Sequence, residues 1–179
     1  MSELQKKVCM LGAPGVGKTS LVRRFVESIF SDKYLSTIGA KVDRKVVSVG
    51  GRELSFMLWD LQGEEEYEWI RMQYLRGAAG YLLVADGTRK STLEIALGLQ
   101  QNAEGRAGQI PFVLIVNKDD LKSTWEVQPE DLKPLQFAGW TVIETSAKSG
   151  GGVNEAFQLL AVRLLAEHDA TGSGELDME

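Results

Sequence analysis

The 179 residues carry 20 Lys+Arg against 25 Asp+Glu, a formal charge of −5, with 44% apolar and 25% charged side chains. These are the proportions of one globular domain, able to bury roughly 70% of its unfolded-chain surface. With Cys9 as its only cysteine the chain cannot be a disulfide scaffold, its acidic balance argues against sequence-independent nucleic-acid binding, and no apolar run reaches the ~20 residues that span a bilayer.

Residues 1–7 lack the apolar stretch of a signal peptide, and Cys9 sits between apolar neighbours as a buried, inert thiol would; a cytoplasmic protein is expected. Apolar runs then alternate with amphipathic stretches, the pattern of an α/β protein with a mostly parallel sheet. Residues 8–11 read as a short buried strand running into glycines. Residues 18–26 follow as a helix with Leu21, Val22 and Phe25 on one face. Strands over 46–49 and 54–59 flank Gly50-Gly51, a hairpin signal that predicts an antiparallel pair at the sheet edge. Further buried strands are predicted over 81–85, 112–116 and 141–143, and helices over 65–75, 91–101, 129–137 and 154–167. The expected architecture is a six-stranded, mostly parallel sheet with one antiparallel edge strand, flanked by five helices. One folded domain would fill residues 1–168, and the polar, acidic residues 169–179 read as a disordered tail.

The first strand empties into Gly12-Ala13-Pro14-Gly15-Val16-Gly17-Lys18-Thr19, which fits G-x-x-x-x-G-K-[ST] in the required strand–loop–helix context. Glycines let successive backbone N–H groups wrap phosphates without Cβ clashes. Gly15, Val16, Gly17, Lys18, Thr19 and Ser20 are the nucleotide-binding candidates of this loop. Lys18 supplies charge to the β- and γ-phosphates and the Thr19 hydroxyl is a Mg²⁺ ligand. Pro14 has no N–H and must sit on the lip of the loop.

Asn117-Lys118-Asp119-Asp120 follows the strand 112–116, and in open α/β sheets ligands bind at the carboxyl ends of strands. A carboxylate accepting from guanine N1–H and N2–H₂ would face adenine unpaired, so Asp120 there selects guanine. Ser146-Ala147-Lys148, after a further strand, belongs to the same site.

With Thr37 and Asp60-Leu61-Gln62-Gly63 between these blocks, and Glu144-Thr145-Ser146-Ala147-Lys148 after them, the chain resembles the Ras superfamily of small GTPases over residues 6–168. Among its branches it is most similar to Rab: Tyr34-Leu35-Ser36-Thr37-Ile38-Gly39 resembles the Rab switch I, and Trp59-Asp60 and Tyr74-Leu75-Arg76-Gly77-Ala78 resemble switch II and its exit. The resemblance implies a P-loop GTPase fold, bound GTP or GDP with Mg²⁺, and a GDP/GTP molecular switch that hydrolyses GTP. It implies that Asp120 binds guanine, that Asn117, Lys118 and Ser146 support it, and that Ala147 offers a backbone N–H to the base. Phe30 would lie edge-on to the guanine, Lys148 would cover its other side, and Tyr34 would join from switch I. Thr37 would ligate Mg²⁺ while the γ-phosphate is present, Asp60 would hold the ion through water, and the Gly63 N–H would meet the γ-phosphate. Thr19, Thr37 and Asp60 are thus the metal set, and Lys18, Thr37, Gly63 and Glu64 the catalytic set.

Glu64 stands where the family has a water-orienting glutamine. A glutamate accepts from that water but cannot donate toward the phosphoryl group, and it adds negative charge beside developing negative charge. A carboxylate is also the better proton acceptor, so the sign stays open. The charge argument favours slow, partner-stimulated hydrolysis. A GTP-binding scaffold with negligible hydrolysis is the alternative, and a P-loop ATPase is disfavoured by Asp120 and Ser146-Ala147-Lys148. Leu61 and Gln62 replace the family's Thr-Ala, and Pro14 occupies a position that activators approach with an arginine finger, so an atypical activating protein is expected.

GTPase-activating, exchange and effector proteins are expected at the two switch regions of a monomer. The acidic run Glu64, Glu65, Glu66, Glu68 suits a helix start or a basic partner, with Tyr67 and Trp69 interleaved. Val42, Trp59 and Tyr74 match the Rab hydrophobic triad with Val42 in place of Phe. The lone His168 reads as structural or exposed. The residues up to Glu179 include no cysteine for prenylation and no polybasic patch, so no direct lipid anchor is expected. An unlipidated chain of this kind is expected of a bacterial or otherwise divergent source.

Overall fold

A computed structural model describes residues 3–26, 33–35, 40–61 and 73–173. The strands are β1 (Gln5–Gly12), β2 (Lys33–Leu35), β3 (Ala40–Val49), β4 (Arg52–Leu61), β5 (Gly80–Asp86), β6 (Phe112–Asn117) and β7 (Val142–Glu144). The helices are α1 (Lys18–Val26), α2 (Lys90–Ala107), α3 (Pro129–Phe137) and α4 (Val153–Ser173), with a 3₁₀ segment at Asp119–Thr124. The sheet order is β2-β3-β4-β1-β5-β6-β7, parallel from β4 to β7 and antiparallel where β3 meets β4 and β2.

The continuous apolar runs are explained by a sheet covered on both faces. Val8 and Met10 of β1 face one core, which Leu21 and Phe25 of α1 share with Phe157, Leu160 and Leu164 of α4. Cys9 and Leu11, one residue out of phase, face the other core with Tyr81, Leu83, Leu93 and Leu99. Side chains alternate across a strand, so both sets must be apolar and no amphipathic alternation survives in the sequence. On the first face the Phe25 and Phe157 rings stack at 3.8 Å and 6°. Phe157 has no exposed surface.

The α/β architecture, all six expected strands and the antiparallel pairing of β3 are as expected, and Gly50 and Gly51 turn the β3–β4 hairpin with φ of 57° and 79°. Positive φ at both central residues is what a type I′ turn demands. The seventh strand, β2, pairs with β3 and takes the edge; three residues are too few to show a period. Helix α2 continues to Ala107, six residues past its predicted end, because Ala103 buries fully against the sheet. Four of the five expected helices lie among the described residues; the helix expected over 65–75 lies almost wholly outside them. The boundary after residue 168 needs correction. Helix α4 runs on to Ser173, and Asp169 accepts two hydrogen bonds from Arg52 at 2.8 and 3.1 Å, so the first five residues assigned to a disordered tail are helical. Residues 174–179 lie outside the described residues. No described helix is long and apolar enough to cross a membrane.

Replacing Phe157 by Ala removes a fully buried ring stacked on Phe25 and is expected to cost about 3–5 kcal/mol. Urea unfolding followed by circular dichroism checks this; an unchanged midpoint would contradict the packing described.

Candidate functional site

The carboxyl ends of β1, β5 and β6 lie side by side, with Gly12 in register with Val84 and Asp86 in register with Asn117. The loops that follow β1, β6 and, on the far side of β6, β7 leave from this edge. The loop from Gly12 to Lys18 enters α1, and Lys18 turns back so that its ammonium donates to the Gly12 carbonyl at 2.8 Å. Lys18 is buried, which puts its charge inside the loop rather than in solvent. At the second residue of the helix, the Thr19 hydroxyl donates to Asp60 Oδ2 at 2.5 Å, bringing the helix start against the end of β4.

Asn117 ties the first loop to the second. Its Nδ2 donates to the Val16 carbonyl at 3.0 Å, while its Oδ1 accepts from the Thr145 hydroxyl at 3.0 Å and the Ala147 N–H at 3.2 Å. The carboxamide is buried, so each of these bonds replaces water that cannot reach it. Gly17 permits the approach: it has φ 104°, and a Cβ there would stand 2.3 Å from Asn117 Nδ2.

Lys118 follows in the left-handed region, φ 74°, the one non-glycine residue with positive φ among the described residues. Strain of this kind persists where surroundings over-determine it. Here Trp125 Nε1 donates to the Lys118 carbonyl at 2.8 Å and the Lys118 ammonium meets Asp86 Oδ2 at 2.8 Å. Asp120 is exposed, with Oδ1 accepting from the Ser146 hydroxyl at 2.8 Å. The Ser146 hydroxyl accepts in turn from the Ser149 N–H at 3.0 Å, closing the third loop. Arg24 of α1 reaches across to the carbonyls of Ala147, at 3.0 Å, and Lys148.

The structure therefore gathers Val16, Gly17, Asn117, Lys118, Asp120, Ser146 and Ala147 into one hydrogen-bonded assembly, and Thr19 with Asp60 beside it. Gly15 and Ser20 are exposed at the loop and on α1, and the Lys148 side chain is exposed. Phe30, Thr37, Gly63 and Glu64 lie outside the described residues, and of Tyr34 only the backbone, in β2, is described. The hydroxyl and carboxylate of Thr19 and Asp60 are hard oxygen donors, the kind Mg²⁺ takes, and the tight loop at Gly17 leaves backbone rather than side chains to face a phosphate. Val42 and Trp59 are cross-strand partners, and Trp59 meets Tyr74 at 5.9 Å, so the expected triad is assembled. A groove of about 630 Å³ lined by Tyr81, Phe112, Trp140 and Arg163 opens at the amino ends of β5 and β6 and shares no residue with the strand-end assembly.

Sequence reasoning missed Thr145, Arg24 and the cluster around Asp86. A carboxylate that closes an apolar strand, as Asn117 closes β6, was the available signal. Asp86 is fully buried, and its Oδ1 accepts from the Thr88 N–H at 2.9 Å and hydroxyl at 2.7 Å. Its Oδ2 takes Arg89 Nε at 3.1 Å besides Lys118. Burial acts to raise its pKa, but the Lys118 ammonium, Thr88 and Arg89 together outweigh it and hold the carboxyl below its ordinary value. A depressed folded-state pKa contributes stability that is present above the unfolded value of about 3.9 and is lost as pH falls through the lower folded value. Unfolding midpoints measured from pH 6 down to about 2.5 are therefore expected to fall more steeply for the natural chain than for Asp86→Asn; parallel curves would contradict it.

Residues 7–166 match the Ras family. Ras-related protein Rab-13 of Canis lupus familiaris is 36% identical over 170 residues, covering 94% of this chain and 84% of the relative. Ras-related protein Rab-32 of Mus musculus is 33% identical over 183 residues, covering 97% and 81%. Ras-related protein Rab-4A of Rattus norvegicus is 36% identical over 177 residues, covering 97% and 79%. Proteins of this family bind GTP or GDP with Mg²⁺, hydrolyse GTP and work with regulators and effectors. With the family match running over residues 7–166 and relatives more than 30% identical along most of their length, the chain belongs to the Ras family, as a Rab-like small GTPase.

Proposed function

We propose that this GTPase is a GDP/GTP switch whose own hydrolysis is slow and is accelerated by an atypical activating partner. The observation that supports the nucleotide assignment is the Asn117 carboxamide, which holds the phosphate loop and both base loops in one buried network. In this reading Asp120, steadied by Ser146, accepts from the guanine edge, and the Ala147 N–H turns to the base. Phe30, Tyr34 and Lys148 enclose the base and the neighbouring part of the nucleotide. The backbone from Gly15 to Ser20 and the Lys18 ammonium hold the phosphates, and water attacks the γ-phosphorus in line with the leaving oxygen. Thr19, Thr37 and Asp60 would hold Mg²⁺, which when bound neutralises charge on the phosphate oxygens. Gly63 donates its N–H to the γ-phosphate, and loss of that phosphate frees Thr37.

Glu64 supports the slow rate, since its carboxylate brings a like charge to the reacting phosphate and offers no donor. The same residue favours a second reading, a scaffold that binds GTP and does not cleave it. Single-turnover cleavage of GTP by the natural chain and by Glu64→Gln separates them. The switch reading expects measurable cleavage by the natural chain and at least a tenfold gain on substitution, about 1.4 kcal/mol of barrier. A slower Gln variant would overturn the role given to Glu64, and an inert natural chain would favour the scaffold. Chromatography of the nucleotide released on denaturing freshly purified protein tests the base assignment: GDP or GTP is expected, and ATP would undo it.

A further inference from the structure

We propose that Arg89 is a positioning residue for nucleotide retention, bridging the lip of the phosphate loop to the guanine-recognition loop through Asp86. The inference rests on the guanine-nucleotide reading above and deepens it. Arg89 lies between β5 and α2, and its guanidinium makes two directed contacts. Nη2 donates to the Pro14 carbonyl at 3.0 Å, across 75 residues of sequence. Nε donates to Asp86 Oδ2 at 3.1 Å, the same oxygen that the Lys118 ammonium meets at 2.8 Å. The path Pro14–Arg89–Asp86–Lys118 therefore runs from one loop to the other without passing through Asn117.

Three features make this more than an exposed ion pair, which would contribute little. The Asp86 side chain is 1% exposed, so its charge is fixed in place and poorly screened. Pro14 has no N–H and is exposed, which leaves its carbonyl as the polar group by which this part of the lip is held. A planar guanidinium serves two acceptors in fixed directions, which one ammonium does not. A loop held in shape before the phosphates arrive loses less conformational freedom on binding, and a bound nucleotide leaves more slowly.

The test uses the full chain loaded with a fluorescent GDP analogue and chased with excess GDP. Arg89→Gln is expected to speed release about tenfold, and Arg89→Lys, which keeps charge and one contact, to fall between. Asp86→Asn should speed release as well, and the double variant should be no faster than the faster single one, because both break one bridge. An Arg89→Gln rate within twofold of the natural chain, or single effects that multiply in the double variant, would overturn the bridge. Should Asp86→Asn fail to fold, the order of Gln, Lys and Arg at position 89 decides alone: Lys as fast as Gln overturns the two-contact geometry. A natural chain that holds no guanine nucleotide would overturn the functional reading together with this inference, whereas normal loading with unchanged release overturns the inference only.

Discussion

The buried carboxamide of Asn117 is the contact on which the strand-end assembly depends. It is short enough to stay within β6 yet carries both a donor and an acceptor, so it serves the phosphate loop on one side and the Thr145–Ala147 loop on the other. An Asp at this place would have to turn an acceptor toward the Val16 carbonyl, and a Leu would take this partner from the buried Val16 carbonyl and Thr145 hydroxyl and from the part-buried Ala147 N–H. Gly17 is part of the same constraint, because any Cβ there would push the phosphate loop off the carboxamide.

The scaffold beneath makes such precision possible. Strands β1, β5 and β6 are parallel and buried on both faces, which fixes their relative heights; a one-residue slip would exchange the two cores. Because the register is fixed, the three loops emerge at set spacings, and short polar side chains at strand ends can meet without long flexible arms. Asp86 and Asn117 are register partners on neighbouring strands and do related work, one with charge and one with an amide.

The candidate phosphate and base loops were legible because the chemistry proposed for them requires particular residue types at particular spacings: glycines where backbone must approach, Lys-Thr at a helix start, Asn-Lys-x-Asp after an apolar strand. The strands were legible as apolar runs, though their ends were not, since Gln5, Lys6 and Lys7 carry β1 beyond its core. Contacts between distant segments left no local trace. Nothing in the sequence around Arg89 points to Pro14, and although Asp86 closes an apolar run, nothing near it names Lys118 as its partner until the fold sets the two together. The 3₁₀ segment after Lys118 escaped for another reason: none of its six residues is buried, so no apolar face marks it. The polar composition after residue 168 hid the last turns of α4, whose hold is the ion pair of Asp169 with Arg52 rather than an apolar face.

That last pairing gives α4 the character of a mechanical strut. The residues leading into it are tied to the Ser146 loop, where the Ser146 N–H donates to the Gly151 carbonyl, and its final turns are hooked to the β3–β4 hairpin by Arg52. Tension applied beyond Ser173 would load these attachments in sequence. The exposed hook to the hairpin parts first, since water and salt replace it easily. Peeling then has to drag Leu164, Leu160 and Phe157 out of the core one turn at a time before any force reaches Ser146. The strand-end assembly is thereby insulated from pulling at the far end of the helix, and a tether there would anchor the molecule without disturbing that assembly.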